Sequence, residues 1–318
     1  GICGFGIGNM TQSHSIADAL HASFGVPPVV SAVIMFVLIA IVIIGGVSRI
    51  GSVSSKLVPF MSIVYIICSL VVIATNIDKV PGVFAMIFHD AFTGTAAAGG
   101  FAGSTVMLAL QMGVARGIFS NEAGLGSAPI AAAAAQTNSP VRQGLVSMTG
   151  TFIDTIIICT LTGLSIVLTG AWQVEGLEGV QVTTYAFQHG LPFPAQFSSF
   201  ILMLCLVFFA FTTILGWDYY SERCLEYLSG GNMKHVKIFR WIYILAVFIG
   251  PYMTVSAVWT IADIFNGLMA IPNMIALFAL SGVIVKETRA FFQHAKEEAR
   301  AEHRSFEEVC EENLNEEE

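Results

Sequence analysis

The chain has 318 residues, of which 55% are apolar and only 11% are charged, whereas about a quarter of the residues in a soluble domain are charged. A soluble protein of this length needs a charged surface, which most of this sequence does not supply. The net charge of −8 is concentrated in one place, because residues 286–318 carry five Lys or Arg and eleven Asp or Glu. The composition predicts an integral membrane protein surrounded by lipid, and we expect no nucleic-acid partner.

Uncharged apolar segments recur along the chain. A helix of about 20 apolar residues crosses the hydrocarbon core of a bilayer, and helices are favoured because hydrocarbon offers the backbone no hydrogen-bond partners. Eight segments fit this pattern in whole or in part: 1–23, 29–47, 57–76, 101–136, 145–169, 196–222, 238–256 and 260–285. We predict an all-α membrane domain over residues 1–285 and a charged cytoplasmic tail over residues 286–318, whose helix fades into disorder at residues 316–318.

The first predicted span reads GICGFGIGNMTQSHSIADAL. It opens without Met inside an apolar, glycine-rich stretch, so we interpret the sequence as truncated at its N-terminus. Gly1, Gly4 and Gly8 form a small face that allows another helix to approach closely. A second face at helical spacing is polar and then apolar: Asn9, Gln12 and Ile16. This second face either lines a substrate pocket or makes hydrogen bonds between helices.

The fourth predicted span is interrupted by residues that break helices. An apolar stretch ends near Ile118 and an Ala-rich half-helix follows over residues 130–135. The residues between them are small, polar or helix-breaking: Ser120, Asn121, Glu122, Gly124, Gly126, Ser127 and Pro129. A broken helix survives in a bilayer where it is buried in protein or lines a cavity, and such helices bind substrates and ions in many secondary transporters.

The break predicts a site for a zwitterion. Freed amides at the start of the second half-helix suit a carboxylate, and freed carbonyls at the end of the first half suit Na⁺ or an ammonium group. Asn121 can both donate and accept hydrogen bonds, and Glu122 is an ionisable group near the bilayer midplane, where such groups are costly and usually functional. The alternative is that both side chains only satisfy the broken backbone.

The sixth predicted span places Thr212 and Thr213 near mid-membrane. Their hydroxyl oxygens are suitable Na⁺ ligands, because hard cations prefer oxygen. The alternative is that they bond to carbonyls of their own helix. Trp217 lies one turn after Thr213 on the same face, where it is placed to close a small pocket.

Two further spans carry ionisable or helix-breaking residues. Asp154, near the middle of the fifth span, serves ion coupling or a proton route, or it caps a neighbouring broken helix, which is the interpretation we favour. The eighth span predicts another irregular helix, because Asp263, Asn266, Gly267 and Pro272 lie close together.

The distribution of basic residues predicts the orientation. With the tail in the cytoplasm, twelve Lys and Arg residues fall on the inner side and only Lys79 and Arg116 on the outer side. This asymmetry is typical of membrane proteins. We expect a multi-pass protein of the bacterial inner (plasma) membrane with a cytoplasmic C-terminus.

Sequence motifs of enzymes are missing. The sequence has no zinc-protease, serine-hydrolase, P-loop or dinucleotide motif. Its six cysteines show neither metal-ligand spacing nor a disulfide framework. We expect no enzymatic activity and no organic cofactor.

Five blocks, covering nearly all of residues 1–290, resemble the alanine/glycine:cation symporter family, also called the sodium:alanine symporters. In chain order they read GIGNMTQSHSIADAL, GVARGIFSNEAGLGSAPIAAAAA, NSPVRQGLVSMTGTFIDTIIICTLT, FTTILGWDYYSERCLEYL and DIFNGLMAIPN. The stretch SNEAGLGSAPIA is the most specific of them. Two positions depart from the family pattern, since Ala132 stands where members often carry His and Ser221 where Gly is usual.

The resemblance implies a leucine-transporter-type fold of two inverted five-helix repeats with broken first and sixth helices. This chain would contain helices three to ten, and FSNEAG would be the break of helix six. Together with the face of the first span, the predicted substrate-pocket residues are Asn9, Gln12, Ile16, Phe119, Ser120, Asn121, Glu122, Gly124, Thr213 and Trp217. Thr212 and Thr213 would form the helix-eight part of a sodium site shared with helix one.

The residues and the resemblance together predict Na⁺-coupled symport of a small amino acid, alanine or glycine, by alternating access. Three alternatives remain: a proton-coupled carrier with Asp154 or Glu122 as the proton site, a non-transporting membrane binding or sensing subunit, and an inactive gene fragment. Because helix one would supply much of the sodium site and half the contacts to the substrate carboxylate, we expect this chain not to transport by itself.

Overall fold

The structure, a computed structural model, describes residues 1–93, 102–301 and 304–315. Every regular element within these ranges is helical, in agreement with the predicted all-α class. The predicted start of the fourth span at residue 101 and the predicted disorder at residues 316–318 lie outside the described residues.

The described residues form twelve helices, joined in places by short 3-10 turns. In chain order they are α1 (a π-helical segment Phe5–Met10 continued by Thr11–Phe24), α2 (Pro28–Ile44), α3 (Val47–Ala74), α4 (Val80–Thr93), α5 (Ala102–Asn121), α6 (Ala128–Ala132), α7 (Pro140–Leu168, containing a π-helical segment Ile153–Cys159), α8 (Val180–Gly190), α9 (Ala195–Leu228), α10 (Met233–Ala246), α11 (Val255–Ala301) and α12 (Phe306–Asn315).

Four helices of the described part are long and apolar enough to cross a membrane: α3, α7, α9 and α11. Helix α2 is apolar but shorter, at 17 residues. These five helices coincide with predicted spans. The first, fourth and seventh spans contain no helix that meets the criterion of length and apolarity, so they stay predictions.

Two of the long helices run through prolines at which the sequence suggested a boundary or a distortion. Helix α3 begins at Val47 rather than near residue 57 and contains Pro59. Helix α11 is continuous from Val255 to Ala301 through Pro272, so the prediction of an irregular eighth span is wrong. Helices in membranes tolerate proline because neighbouring groups satisfy the freed backbone atoms. No helix end marks the predicted domain boundary at residue 286.

The chain divides into two compact units. The first consists of Gly1–Gly117 and Ile157–Asn266, and the second of Ile118–Ile156 and Gly267–Glu318. In the second unit, α12 packs on the end of α11 through an apolar cluster of Ala295, Ala299 and Val309.

The core of the first unit joins α1, α2, α9 and α10. Its central side chains are fully or almost fully buried, and they include Ile16, Ile39, Ile214 and Tyr243. A second cluster connects α3, α8 and α9. Helix α9 belongs to both clusters, which makes it the main packing element of this unit.

The outer faces of α2 and α3 carry large apolar side chains that no other part of their unit covers. Ile34 on α2 is 49% exposed, and Phe60 and Ile63 on α3 are 54% and 58% exposed, whereas Ile39 and Ile43 on the opposite face of α2 are fully buried. Continuous apolar surface of this kind is unfavourable in water but matches lipid. The fold is that of a multi-pass membrane protein.

Candidate functional site

The predicted helix break is confirmed. Helix α5 ends at Asn121, and the next residues turn through left-handed backbone conformations: Glu122 with φ +55°, Gly124 with φ +83° and Gly126 with φ +78°. Among the described residues, Glu122 is the only one other than glycine with positive φ. Such a conformation is costly for a residue with a Cβ and is typical of functional turns.

The half-helix after the break is shorter than predicted. It is the single turn α6, Ala128–Ala132, with Pro129 near its start, rather than a helix over residues 130–135. Pro129 has no amide hydrogen. The turn therefore offers fewer free donors to a carboxylate than the sequence suggested.

Two hydrogen bonds tie the break to the π-helical segment of α7, within the second unit. Ser120 Oγ donates to Asp154 Oδ1 at 2.8 Å, and Asn121 Nδ2 donates to Thr155 Oγ1 at 2.9 Å. Asn121 Oδ1 also accepts the backbone amide of Ala123 at 2.9 Å. The nitrogen and the oxygen of the Asn121 side-chain amide therefore both make hydrogen bonds that hold the turn. Asp154 is a partner of the broken helix, as we favoured from the sequence.

The π-helical geometry accompanies an unusual pairing in which two adjacent residues of α7 face two adjacent residues of α5. In a regular α-helix, neighbouring side chains point in clearly different directions. The segment Ile153–Cys159 is wider than an α-helix, and such segments are frequent at functional sites. It presents Asp154 and Thr155 together to the break.

Removal of the Asp154 carboxylate should loosen the break. A hydrogen bond to a charged group contributes about 1.5–3 kcal/mol, so we expect a coupling of about 1–2 kcal/mol between Asp154→Ala and Ser120→Ala in a double-mutant cycle. The measurement is denaturant unfolding of the full-length protein in detergent. Asp78→Ala, which removes an exposed carboxylate, is the control. Additive effects of the two substitutions would show that this bond does not hold the break.

In the first unit, the small face of α1 lies directly against α9. A Cβ built on Gly8 would stand 2.1 Å from Cβ and Cγ of Trp217, and one on Gly4 would stand 2.2 Å from Ser221 Oγ. A Cβ on Gly1 would stand 3.4 Å from the carbonyl oxygen of Ser221. The predicted close approach is confirmed, and it holds the buried Trp217 against the backbone of α1.

The other face of α1 makes contacts inside the helix bundle. Asn9 is fully buried, and its Nδ2 donates to the carbonyl oxygen of Tyr243 on α10 at 2.7 Å. Gln12 is half-buried, with Nε2 at 3.5 Å from the carbonyl oxygen of Ile7, and Ile16 lies in the apolar core. For Asn9 the structure shows the bond between helices, and a substrate contact by these three residues stays a prediction.

The two threonines of α9 bond to their own helix. Thr213 Oγ1 donates to the carbonyl oxygen of Phe209 at 2.8 Å, and Thr212 Oγ1 lies 2.9 Å from that of Phe208. A hydroxyl that donates in this way keeps its lone pairs, so this geometry is compatible with ligation of a cation.

Two ion pairs of the first unit were not anticipated. Arg116, on the last turns of α5, bonds to Asp263 Oδ2 at 2.5 Å and stacks over the ring of Trp259 at 4.4 Å. Arg240 holds Glu222 with two bonds, Nε to Oε1 at 2.5 Å and Nη2 to Oε2 at 2.8 Å. The sequence had assigned Arg240 to an inner loop, but it lies on α10.

Two buried polar side chains, those of Asp218 and Ser127, lack hydrogen-bond partners among the described residues, and only Ser127 was named from the sequence as part of the break. Asp218 directly follows Trp217, is fully buried, and has no hydrogen-bond partner on either carboxylate oxygen among the described residues. Ser127, at the end of the break, is 1% exposed and its hydroxyl is likewise unpartnered there. The available signal for Asp218 was an acidic residue inside an otherwise apolar span.

These features define a multi-pass helical membrane protein with a hydrogen-bonded helix break, an architecture found in secondary transporters. The chain belongs to the sodium:alanine symporter family, whose sequence model matches residues 1–305. The resemblance of the five sequence blocks is thereby confirmed, and the family is one of transporters rather than enzymes.

Three relatives illustrate the range of the family. An uncharacterized transporter of Haemophilus influenzae is 54% identical over 292 residues, 92% of this chain and 63% of that protein. The sodium/alanine symporter AgcS of Methanococcus maripaludis is 46% identical over 299 residues, 93% of this chain and 64% of AgcS. The probable sodium/glutamine symporter GlnT of Bacillus subtilis is 36% identical over 288 residues, 91% of this chain and 59% of GlnT. The chain thus spans about three fifths of the length of these relatives.

Proposed function

We propose that the protein performs Na⁺-coupled symport of a small amino acid, alanine or glycine, by alternating access across the bacterial inner membrane. The observation that carries the proposal is the break between α5 and α6, in a chain of the sodium:alanine symporter family. The name of AgcS, a sodium/alanine symporter, supports alanine as the substrate. The proposal includes a leucine-transporter-type arrangement and a C-terminus in the cytoplasm.

The break supplies an anionic group and neutral hydrogen-bonding groups for an amino acid. Glu122 offers a carboxylate to an ammonium group, and Ser127 has a buried hydroxyl without a partner among the described residues. Gly124 has open space where a side chain would stand, whereas Gly126 lies against the side chain of Asn273. We assign substrate binding to Phe119, Ser120, Asn121, Glu122 and Gly124 in this unit.

For the first unit, taken by itself, we propose a wall that limits substrate size and a cation ligand. Trp217, fixed against Gly8, limits the size of the substrate. Thr212 and Thr213 direct oxygen lone pairs away from their own helix bonds and contribute to Na⁺ binding. Asn9, Gln12 and Ile16 support this wall from α1.

The test is uptake of radiolabelled alanine by the full-length protein in proteoliposomes. An inward Na⁺ gradient should drive accumulation above equilibrium, and a proton gradient in Na⁺-free buffer should not. Uptake that is indifferent to Na⁺ would contradict sodium coupling, and uptake driven by protons alone would favour the proton-coupled alternative. Binding without counterflow would favour a sensing subunit.

Trp217→Ala should relax the selection against larger amino acids. One methylene of misfit in an apolar pocket corresponds to about 10–200-fold in discrimination, so we expect the preference for alanine over valine to fall about tenfold. The measurement is competition of unlabelled amino acids against labelled alanine uptake. Trp241→Ala, at a half-exposed position on α10, controls for loss of an indole. An unchanged preference would remove Trp217 from the pocket.

A further inference from the structure

Asp218 lies on α9 between two contacts with other helices, one with the π-helical segment of α1 and one with the last turn of α10. Gly8 of α1 packs on Trp217, the residue before Asp218. Tyr243 of α10 donates from its hydroxyl to the carbonyl oxygen of Ile214, one turn before Asp218 on α9, at 3.0 Å. Asn9 donates to the backbone of the same Tyr243. Tyr243 links the buried Asn9, through its backbone, to the turn of α9 that carries Asp218, through its hydroxyl, and these three residues define the buried cluster.

Each donor side chain of this cluster bonds to an acceptor other than Asp218. The Asn9 amide group donates to Tyr243, the Tyr243 hydroxyl donates to Ile214, and Arg240 donates to Glu222. In contrast, three buried oxygen atoms have no hydrogen-bond partner among the described residues: Oδ1 of Asn9 and both carboxylate oxygens of Asp218. Unpartnered buried oxygens of this kind are strongly unfavourable unless a ligand satisfies them.

An ionised Asp218 would add one negative charge that no described cation is bonded to, because Arg240 is paired with Glu222. Glu222 on its own helix is neutralised by the two bonds from Arg240, the nearest cation on α10. The remaining titratable group on α10 that interacts with Asp218 is Tyr243, and the segment Phe5–Met10 of α1 contains no titratable residue. A buried site built of oxygen atoms with one net negative charge has the chemistry of a monovalent cation site.

We propose that Asp218 and the carbonyl oxygen of Asn9 form a Na⁺ site that is separate from the threonine pair. Asp218 supplies the anionic ligand and Asn9 a neutral one, which gives Asn9 a role other than the substrate contact predicted from the sequence. Because the cluster also fixes the α1–α9 contact at Trp217, a cation there stabilises the wall of the proposed pocket.

The experiment measures binding of ²²Na⁺ to the purified full-length protein in detergent, without amino acid or gradient and with K⁺ as the balancing cation. Asp218→Asn removes the charge at constant size. It should bind one Na⁺ fewer per protein than the wild type, with at least a tenfold loss of affinity at this site. Asp78→Asn, which changes an exposed carboxylate, should bind as the wild type does.

An Asp218→Asn protein that binds as many Na⁺ ions as the wild type would overturn the proposal, and would leave a proton or a water as the partner of the carboxyl group. If this variant does not fold, Asn9→Ala decides, since it removes the proposed neutral ligand and leaves every carboxylate in place. It should lower the affinity for ²²Na⁺ at this site, and an unchanged affinity with an unchanged number of bound ions overturns the site. Because the binding assay does not involve transport, its failure is distinguishable from a failure of the proposed symport.

Discussion

Replacement of Arg240 by Met should lower the free energy of unfolding by about 3–5 kcal/mol, the usual cost of breaking a buried ion pair by removing one partner. The Glu222 side chain is only 3% exposed and that of Arg240 19%. Loss of the guanidinium leaves two buried carboxylates, Glu222 and Asp218, one turn apart on α9. Glu222→Gln should cost less, because Arg240 then remains as a counter-charge for Asp218.

The matched control is a second Arg–Glu pair on α9. Arg223 and Glu226 are three residues apart, at 2.6 Å, with side chains 35% and 32% exposed. Pairs of this kind contribute about 0–1 kcal/mol, so Arg223→Met should be mild. Denaturant unfolding of the full-length variants in detergent measures the difference. Equal losses for Arg240→Met and Arg223→Met would show that the Glu222–Arg240 pair is not part of the buried core.

Gly8→Ala should separate α1 from α9 and lower both stability and transport. The added methyl group would overlap the Trp217 side chain, and overpacking of this kind costs about 1–3 kcal/mol. Since the indole cannot move without leaving its place in the proposed pocket, we expect alanine uptake to fall more than tenfold. Unfolding and uptake, measured on the same preparations, give both effects.

Gly216→Ala is the control for this substitution. Gly216 precedes Trp217 on α9, and a Cβ built on it would meet nothing within 4 Å. Alanine is favoured over glycine inside a helix by about 0.5–1 kcal/mol, so this variant should be as stable as the wild type or slightly more so. If Gly8→Ala is as stable and as active as Gly216→Ala, the close approach of α1 to α9 is not needed for stability or for transport.

Local patterns in the sequence predicted the features that local chemistry determines. The density of glycine, proline and small polar residues after Ile118 predicted the break, and the spacing of Gly1, Gly4 and Gly8 predicted a close helix contact. The positive φ of Glu122 was not predictable, because the same segment contains glycines that adopt that conformation at lower cost. Which residue of the turn adopts positive φ depends on where α5 ends.

The features that were missed depend on contacts between distant parts of the chain. Arg240 and Glu222 belong to different helices, and a count of basic residues in loops gives no reason to place Arg240 beside a carboxylate. The pairing of Arg116 with Asp263 joins residues 147 positions apart. The π-helical segment at Asp154 has no sequence pattern of its own, since it differs from an α-helix only in which carbonyl each amide selects. Pro272 led to a wrong prediction of an irregular helix, because α11 continues through it.

Equilibrium binding of labelled alanine to the purified full-length protein, in Na⁺ and in choline at equal ionic strength, tests the central claim most directly. If the break and the α1–α9 wall serve a Na⁺-coupled symporter, the two ligands must raise each other's affinity, because coupling between sites is reciprocal. We predict that Na⁺ tightens alanine binding at least tenfold, which corresponds to about 1.4 kcal/mol of coupling. The same affinity for alanine in both buffers would contradict this account.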